Sequence, residues 1–188
     1  LLIPCYFRAC RPRGADAVVH LAARGSVPRS VADPVASFNV NTVGTLNVLE
    51  ACRATGRPHV IFASSSSVYG LNPLLPKSED LAPQPASPYA ASKLGAESLV
   101  LAYAASYGLA TLAFRFFNVY GPLQPADHDY AAVVPRFIDA ALRGEPVTIY
   151  GDGQQSRDFT YVDTLTAVVV RALLQRVVSA TPVNLAYG

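Results

Sequence analysis

Three short apolar segments, separated by stretches long enough to form helices, most limit the fold of this 188-residue chain. They are Asp16–Ala23, His59–Ala63 and Ala110–Phe116. Their apolar character is typical of strands buried on both faces of a parallel sheet. The alternation of strand and helix therefore predicts an α/β fold, a doubly wound parallel sheet with right-handed crossovers.

Capping signals set the boundaries of the two long helices. Asp33 as N-cap and Pro34 in the first turn predict a helix to about Ala54, and the second helix is predicted at Pro88–Tyr107, ended by Gly108. Elsewhere we expect loops at Gly25–Ser30, Leu71–Ser87 and 118–130, helices at Ala131–Arg143 and Tyr161–Arg176, and strands at Val147–Tyr150 and from Pro182.

Composition excludes several classes of protein. A hydrophobic content of 51% with 15% charged residues is typical of a packed α/β protein and not of a disordered chain. The net charge of +2 argues against nucleic-acid or membrane partners, and no apolar run is long enough to span a membrane. The three cysteines are odd in number and lack metal-ligand spacing, so we expect a reducing cytoplasm and no metal, with His20 in the core.

A serine run and a Tyr–Lys pair carry the chemistry. Ser64–Ser67 follow the second strand, and Tyr89 and Lys93 lie four apart at the start of a helix, on one face. A free tyrosine has a pKa of about 10, and a cation beside it favours the phenolate. A serine hydroxyl can share the substrate proton, so this set suits proton abstraction from an alcohol that is losing hydride.

Each motif alone also has a plain structural interpretation. With 10 tyrosines and two lysines in 188 residues, a Tyr four before a Lys arises by chance in roughly one such chain in ten. The pair is then a surface helix pair, and the serines are a polar loop. Their order along the chain, strand then serines then helix, favours the joint catalytic interpretation.

In combination, the motifs resemble those of one family. They are HLAA at 20–23, SVPRS at 26–30, an Asn and Gly-Thr at 41–45, SSSSVYG, YAASK, RFFNVYGP at 115–122 and IYGDGQQSRDF at 149–159. The chain from Gly14 to Gly188 resembles the extended short-chain dehydrogenase/reductases that act on nucleotide sugars, and most of all the UDP-glucose and UDP-N-acetylglucosamine 4-epimerases. The resemblance implies a Rossmann-like fold, an NAD cofactor and a UDP-sugar substrate.

The resemblance also implies roles for individual residues. Tyr89 is the catalytic base, Lys93 binds the nicotinamide ribose and lowers the tyrosine pKa, and Ser65 is the catalytic serine. The other residues that would contact the cofactor are Leu21, Ala22, Ala23, Asn41, Ser64 and Phe117. Those that would contact the substrate are Ser26, Ser66, Ser67, Asn118, Val134, Phe137, Thr148, Tyr150 and Arg157. Without the resemblance, four of these residues also fit plain structural roles. Asn41 would be an exposed helix asparagine, Val134 and Phe137 would be core positions, and Arg157 would be an ordinary surface arginine.

The serine run distinguishes between reactions of the family. Its 4,6-dehydratases carry Asp-Glu directly after the catalytic Thr, where Ser66 and Ser67 stand, and its decarboxylases usually carry Glu at the second position. A site without carboxylates fits 4-epimerisation, in which one base and one NAD suffice. A dehydratase, a decarboxylase and an inactive fragment remain the alternatives.

The family pattern begins with a strand and a glycine-rich turn that hold the cofactor pyrophosphate, and these have no match here. We therefore expect a family member that is N-terminally truncated. Residues 1–116 would be a partial NAD-binding domain, and 117–188 a small C-terminal substrate-binding part. We expect weak NAD binding and no epimerase activity from residues 1–188 alone, and a homodimer through the two long helices when complete.

Overall fold

Four parallel strands form the main sheet of the computed structural model, which describes residues 14–126, 131–149 and 151–187. They are β1 (Ala17–His20), β2 (His59–Ser65), β3 (Thr111–Phe116) and β6 (Val183–Leu185), in the order β1–β2–β3–β6. In register, Val18 pairs with Val60 and Phe62 pairs with Ala113. The predicted parallel sheet is confirmed, and in the described part of the chain β1 is its edge.

Helices cover both faces of this sheet. They are α1 (Val27–Ala32), α2 (Pro34–Phe38), α3 (Gly44–Ala54), α4 (Pro88–Tyr107), α5 (Val133–Arg143) and α6 (Val162–Leu174). A separate parallel pair consists of β4 (Asn118–Tyr120) and β5 (Phe159–Tyr161). Helix α4 matches its predicted bounds, because Ser87 Oγ accepts a hydrogen bond from Ala90 N at 3.1 Å and Gly108 ends the helix at φ 65°.

The residues of β2 alternate between two apolar cores, as the period of a strand requires. Val60 and Phe62 pack with α3 and α4, and the buried residues of that core are Val48, Leu49, Cys52, Val60, Phe62, Ala96, Val100, Tyr103, Leu109 and Ala113. Ile61 faces the other way, into a core that contains Leu112, Phe114, Leu165, Val169, Ala172 and Leu185. The burial of β2 and β3 on both faces explains their continuous apolar runs. The strand predicted at Asp16–Ala23 is shorter and more exposed, because β1 ends at His20 and Val19 is 38% exposed.

The helix predicted from Asp33 to Ala54 is present in three pieces. Asp33 Oδ1 accepts a hydrogen bond from Ala36 N at 3.0 Å, which confirms the N-cap of α2. Residues Asn39–Val43 then form a π-helical segment that runs into α3 without a break. Such segments occur frequently at functional sites.

Four predictions of local structure were wrong in whole or in part. Gly25–Ser30 is not a plain loop, because α1 begins within it with Ser26 as N-cap and Pro28 in the first turn. Residues 147–149 are not in a strand, and Tyr150 lies outside the described residues. Within the loop predicted at 118–130, residues 118–120 form β4, and 127–130 lie outside the described residues. The helix predicted from Tyr161 begins at 162, because Tyr161 belongs to β5.

The second half of the chain is not independent of the sheet. Helix α6 packs on the sheet and β6 pairs with β3, although both follow residue 116. The boundary between the two parts therefore stays a prediction. No helix among the described residues is long and apolar enough to cross a membrane.

Further predictions from the sequence concern His20, metal binding and the cysteines. His20 is 9% exposed, and its Nε2 lies 3.1 Å from Thr45 Oγ1, which confirms a core histidine. In the described part of the chain no three His, Cys, Asp or Glu side chains gather as metal ligands. Cys52 is buried and free, whereas Cys5 and Cys10 lie outside the described residues.

Candidate active site

The carboxyl end of β2 meets the first turns of α4, and this junction brings the predicted catalytic residues together. The Ser65 side chain lies near the Tyr89 phenol and favours its charged form. Lys93, one turn further along α4, donates from Nζ to the carbonyl oxygen of Ala63 at 2.5 Å. The serine run and the Tyr–Lys pair are therefore one site, as their order along the chain predicts.

Burial governs the ionisation of Tyr89 and Lys93. It raises the pKa of Tyr89 above its usual value, and the nearby Ser65 side chain only partly opposes this. Lys93 is 3% exposed, its Nζ lies 4.6 Å from the centre of the Phe62 ring, and burial lowers its pKa to about 8. The Lys93 ammonium bonds a backbone carbonyl, and the lowering of the tyrosine pKa that the resemblance attributes to it stays a prediction.

A tight turn fixes the serine run. Ser65 Oγ accepts hydrogen bonds from Ser67 N at 3.2 Å and Ser67 Oγ at 2.8 Å, and it caps a short 3-10 helix at Ser66–Tyr69. The helix ends at Gly70, with φ 47°, where an added Cβ would lie 1.9 Å from the backbone oxygen of Gln84. The final glycine of the SSSSVYG motif is therefore required by both conformation and space.

A second set of hydrogen bonds holds α4 against the loop after β1. Asn41, on the π-helical segment, is 2% exposed; its Oδ1 accepts from Arg24 N at 2.7 Å and its Nδ2 donates to Ser92 Oγ at 2.9 Å. Ser30 Oγ accepts from Tyr89 N at 2.9 Å. Asn41 is thus a buried connecting residue and not a surface asparagine, while Leu21, Ala22 and Ala23 are exposed at the carboxyl end of β1.

Two adjacent cavities receive most of the predicted substrate residues. One of about 500 Å³ is lined by residues that include Ser26, Tyr89, Phe117, Asn118 and Val134. The other, of about 690 Å³, is lined by residues that include Val134, Phe137, Thr148 and Arg157. The two share Val133, Val134 and Phe159 in their walls, so they are neighbours, with Tyr89 in the wall of one and Arg157 in the wall of the other.

Three of the predicted serines, Ser64, Ser66 and Ser67, do not line either cavity. Ser64 is buried, and its hydroxyl donates to Glu97 at 2.5 Å instead of facing a cofactor. Ser66 and Ser67 are half-buried in the 3-10 turn and do not line either cavity. Asn118 Nδ2 donates to the carbonyl of Asp158 at 2.9 Å, so β4 positions this side chain against the segment that carries Arg157.

Sequence reasoning missed Glu97 and Arg115. Both are buried, and their side chains form an ion pair of 2.7 Å directly below the serine run. Two signals were available: Glu97 continues the four-residue spacing of Tyr89 and Lys93, and Arg115 is a charge in an otherwise apolar strand. Buried charges of this kind are rare unless they are paired.

Comparison with known proteins matches this arrangement. The model of the NAD dependent epimerase/dehydratase family matches residues 5–186. The UDP-glucose 4-epimerase of Mycolicibacterium smegmatis is 44% identical over 158 residues, which are 84% of this chain and 50% of that protein. The UDP-glucuronate 4-epimerase of Thermodesulfobacterium geofontis is 42% identical over 160 residues, 84% of this chain and 48% of that protein.

A solved structure extends the match to three dimensions. The UDP-N-acetylglucosamine 4-epimerase of Methanobrevibacter ruminantium M1, in complex with UDP-N-acetylmuramic acid, superposes with a TM-score of 0.89 at 41% identity. The match covers 100% of this chain and 58% of that one. The chain spans about half the length of the curated relatives it matches.

Proposed function

The chain belongs to the NAD dependent epimerase/dehydratase family, and from this premise we propose that it supplies the catalytic residues of a UDP-hexose 4-epimerase. The observation that carries the proposal is the placement of Tyr89 at the wall of a cavity, one helical turn from buried Lys93 and near the Ser65 side chain. An alcohol in this cavity would meet a phenol and a serine hydroxyl together. Names of relatives that act on UDP-sugars agree with this proposal.

The family uses NAD, and residues around the catalytic pair are suited to one half of this cofactor. Ala22 and Ala23 present small exposed side chains at the carboxyl end of β1, where ligands of doubly wound sheets bind. Asn41 fixes the backbone of the loop that follows, and Phe117 lines the cavity beside Tyr89. When bound there, NAD would supply the acceptor, and then the donor, of the hydride at carbon 4 of the sugar.

Residues of this chain transfer the proton and hold the substrate. Tyr89, once it is deprotonated, removes the proton of the 4-hydroxyl, and Ser65 holds the same oxygen by a hydrogen bond. The resulting 4-keto sugar turns in the cavity, so that hydride returns to its opposite face and Tyr89 gives the proton back. Arg157 and Asn118 hold the diphosphate in place while the sugar moves, because a guanidinium can bond phosphate oxygens with two hydrogen bonds.

The lining of the cavity favours an uncharged sugar. Its described wall residues are Ser26, Val27, Tyr89, Phe117, Asn118, Val119, Tyr120, Ala132, Val133, Val134 and Phe159, and none of these is charged. A hexuronate carboxylate would have no cationic partner there, at a cost of several kcal/mol if it lost water, roughly the penalty of an unpaired ion. We therefore propose UDP-glucose or a UDP-N-acetylhexosamine as substrate, with the acetamido group accommodated beside Ser26.

The competing reactions have weaker support. A 4,6-dehydration needs an acid and a base next to the catalytic hydroxyl, and the residues after Ser65 are Ser66 and Ser67 in a 3-10 turn. UDP-glucuronate 4-epimerisation is the second candidate because six similar relatives carry that name, one of them as a probable UDP-glucuronate 4-epimerase.

Product analysis with three substrates tests the proposal. A complete protein that contains residues 1–188 is incubated with NAD and UDP-glucose, UDP-N-acetylglucosamine or UDP-glucuronate, and 4-epimers are separated by chromatography. We expect turnover of an uncharged sugar, and about a 10²- to 10⁴-fold loss in Tyr89→Phe with UDP binding retained. Tyr107→Phe, an exposed tyrosine of the same helix, is the matched control. Turnover of UDP-glucuronate alone, or activity kept in Tyr89→Phe, would contradict the proposal.

We also propose that the complete protein forms a homodimer through α3 and α4. The support is a cluster of side chains that joins the two helices: buried Tyr103 donates to half-buried Glu50 at 2.6 Å, and the guanidinium of exposed Arg53 lies 5.2 Å from the centre of the exposed Tyr107 ring. Sedimentation velocity tests this, and a monomer at micromolar concentration would refute it.

A further inference from the structure

Glu97 occupies the catalytic face of α4 but has no part in the reaction described above. It follows Lys93 by four residues and Tyr89 by eight, so the three side chains lie on one face of the helix in successive turns. Glu97 is 2% exposed. A carboxylate so deeply buried needs partners for its charge.

Three hydrogen bonds provide those partners. Glu97 Oε2 accepts from Ser64 Oγ at 2.5 Å and from Arg115 Nε at 3.0 Å, and Oε1 accepts from the second nitrogen of the guanidinium at 2.7 Å. Ser64 and Arg115 are register partners on β2 and β3. One carboxylate therefore ties α4 to the ends of two neighbouring strands.

The three side chains meet three consecutive residues at the end of β2. Lys93 bonds the carbonyl of Ala63, Glu97 bonds the hydroxyl of Ser64, and Tyr89 lies near the side chain of Ser65. Three successive turns of α4 thus hold three consecutive residues at the end of β2. The position of Ser65 relative to Tyr89 depends on this whole set.

We propose that Glu97 is a positioning residue for the reaction, whose negative charge keeps Lys93 protonated and whose hydrogen bond to Ser64 holds the reactive strand end in register with α4. This inference rests on the proposed function for the roles of Lys93 and Ser65. Glu97 itself touches neither of the two cavities.

Of the charged groups described around Lys93, Glu97 is the one that favours the protonated ammonium. Burial lowers the pKa of Lys93 to about 8, and the charge of Glu97 opposes that lowering. From β1, His20 also faces Lys93; burial and the ammonium lower the pKa of His20 to about 4, so it is neutral near pH 7. Tyr89 is neutral there too, and Arg115 of β3 is paired with Glu97.

The titration of Lys93 tests the proposal without any need for turnover. The chain contains only two lysines, Lys77 and Lys93, so ¹³C-lysine labelling gives two side-chain Cε signals that report protonation. In Glu97→Gln we expect the midpoint of Lys93 to fall by about one pH unit or more, since a nearby opposite charge shifts a pKa by that amount. The midpoint of Lys77 should not change. A folded variant with an unchanged Lys93 midpoint would overturn the proposal.

Further variants separate charge from hydrogen bonding and from folding. Glu97→Gln leaves Arg115 buried without its anion, so a Glu97→Gln, Arg115→Met double variant provides a second folded background, in which the Lys93 midpoint should fall as well. Glu97→Asp keeps the charge and should keep the midpoint close to that of the parent. Ser64→Ala should leave the midpoint unchanged but lower kcat with little change in KM.

The outcomes distinguish this proposal from the proposed function. A Lys93 midpoint in Glu97→Asp that is as low as in Glu97→Gln would contradict the role of the charge. Failure of every UDP-hexose to react would contradict the epimerase assignment, while the titration would still show whether Glu97 sets the charge of Lys93.

Discussion

Replacing Asn41 with alanine should loosen the loop after β1 from α4. The Asn41 amide is 2% exposed and makes hydrogen bonds with Arg24 N at 2.7 Å, Arg24 O at 3.3 Å and Ser92 Oγ at 2.9 Å. The bond from Arg24 N satisfies a half-buried backbone N–H, and an alanine side chain has no acceptor for it. The loop itself is exposed, so this amide is its anchor.

The expected loss follows from these bonds. A typical hydrogen bond contributes about 1 kcal/mol to the net free energy of unfolding, and a buried donor left unpaired costs about 1–3 kcal/mol. The bond at 3.3 Å is near the long end of the useful range and counts for less. We therefore expect Asn41→Ala to lower the free energy of unfolding by about 2–4 kcal/mol.

Urea unfolding and hydrogen exchange measure the effect. The matched control is Asn39→Ala, an exposed asparagine on the same π-helical segment, which should change the free energy of unfolding by less than about 0.5 kcal/mol. The Arg24 amide should exchange faster in Asn41→Ala than in the parent. Equal unfolding free energies for the two variants, with an unchanged exchange rate at Arg24, would refute this reasoning.

Two other predictions concern the nucleotide cavity and the response to acid. Arg157→Ala should weaken UDP binding by about 1.5–3 kcal/mol because a charge-assisted phosphate bond is lost; exposed Arg171→Ala on α6 is the control in titration calorimetry, and equal affinities would place Arg157 outside the site. His20 has a folded pKa of about 4 against 6.5 when unfolded, so the unfolded chain binds more protons between these values and stability falls as pH drops through that window. His20→Asn should flatten this slope in urea unfolding from pH 4 to 7, and an unaltered slope would contradict the burial of a neutral imidazole.

The sheet and its long helices were predictable because their signals are local. Apolar runs, N-caps and helix-ending glycines act over a few residues, and they placed α4 at its observed bounds. The same signals were present for α1 at Ser26 and Pro28, where proximity to a ligand-binding edge favoured a loop instead. The pairing of β4 with β5 joins segments about forty residues apart, and no local pattern encodes such a contact.

Some features of the candidate site were likewise predictable from the sequence, and others were not. Tyr89, Lys93 and Ser65 were found because their chemistry is visible in residue type and spacing. The direction of the Tyr89 pKa was not, because it depends on burial in the folded protein, which opposes the effect expected from a neighbouring cation. Glu97 and Arg115 escaped notice for a related reason: a charge that is paired inside a fold looks in sequence like a charge on its surface.

The π-helical segment lets the helix from Pro34 to Ala54 contain one extra residue without a change of phase. An α-helix advances about 100° per residue, and a π turn accommodates one residue more than an α turn. The five residues 39–43 therefore cover roughly the angle that four residues of an α-helix would cover. Deleting one residue within 39–43 would leave a continuous α-helix, with α2 in nearly the same orientation relative to α3. In an alignment of relatives, a one-residue gap at this place marks the loss of the π turn and not a rotation of the helix before it.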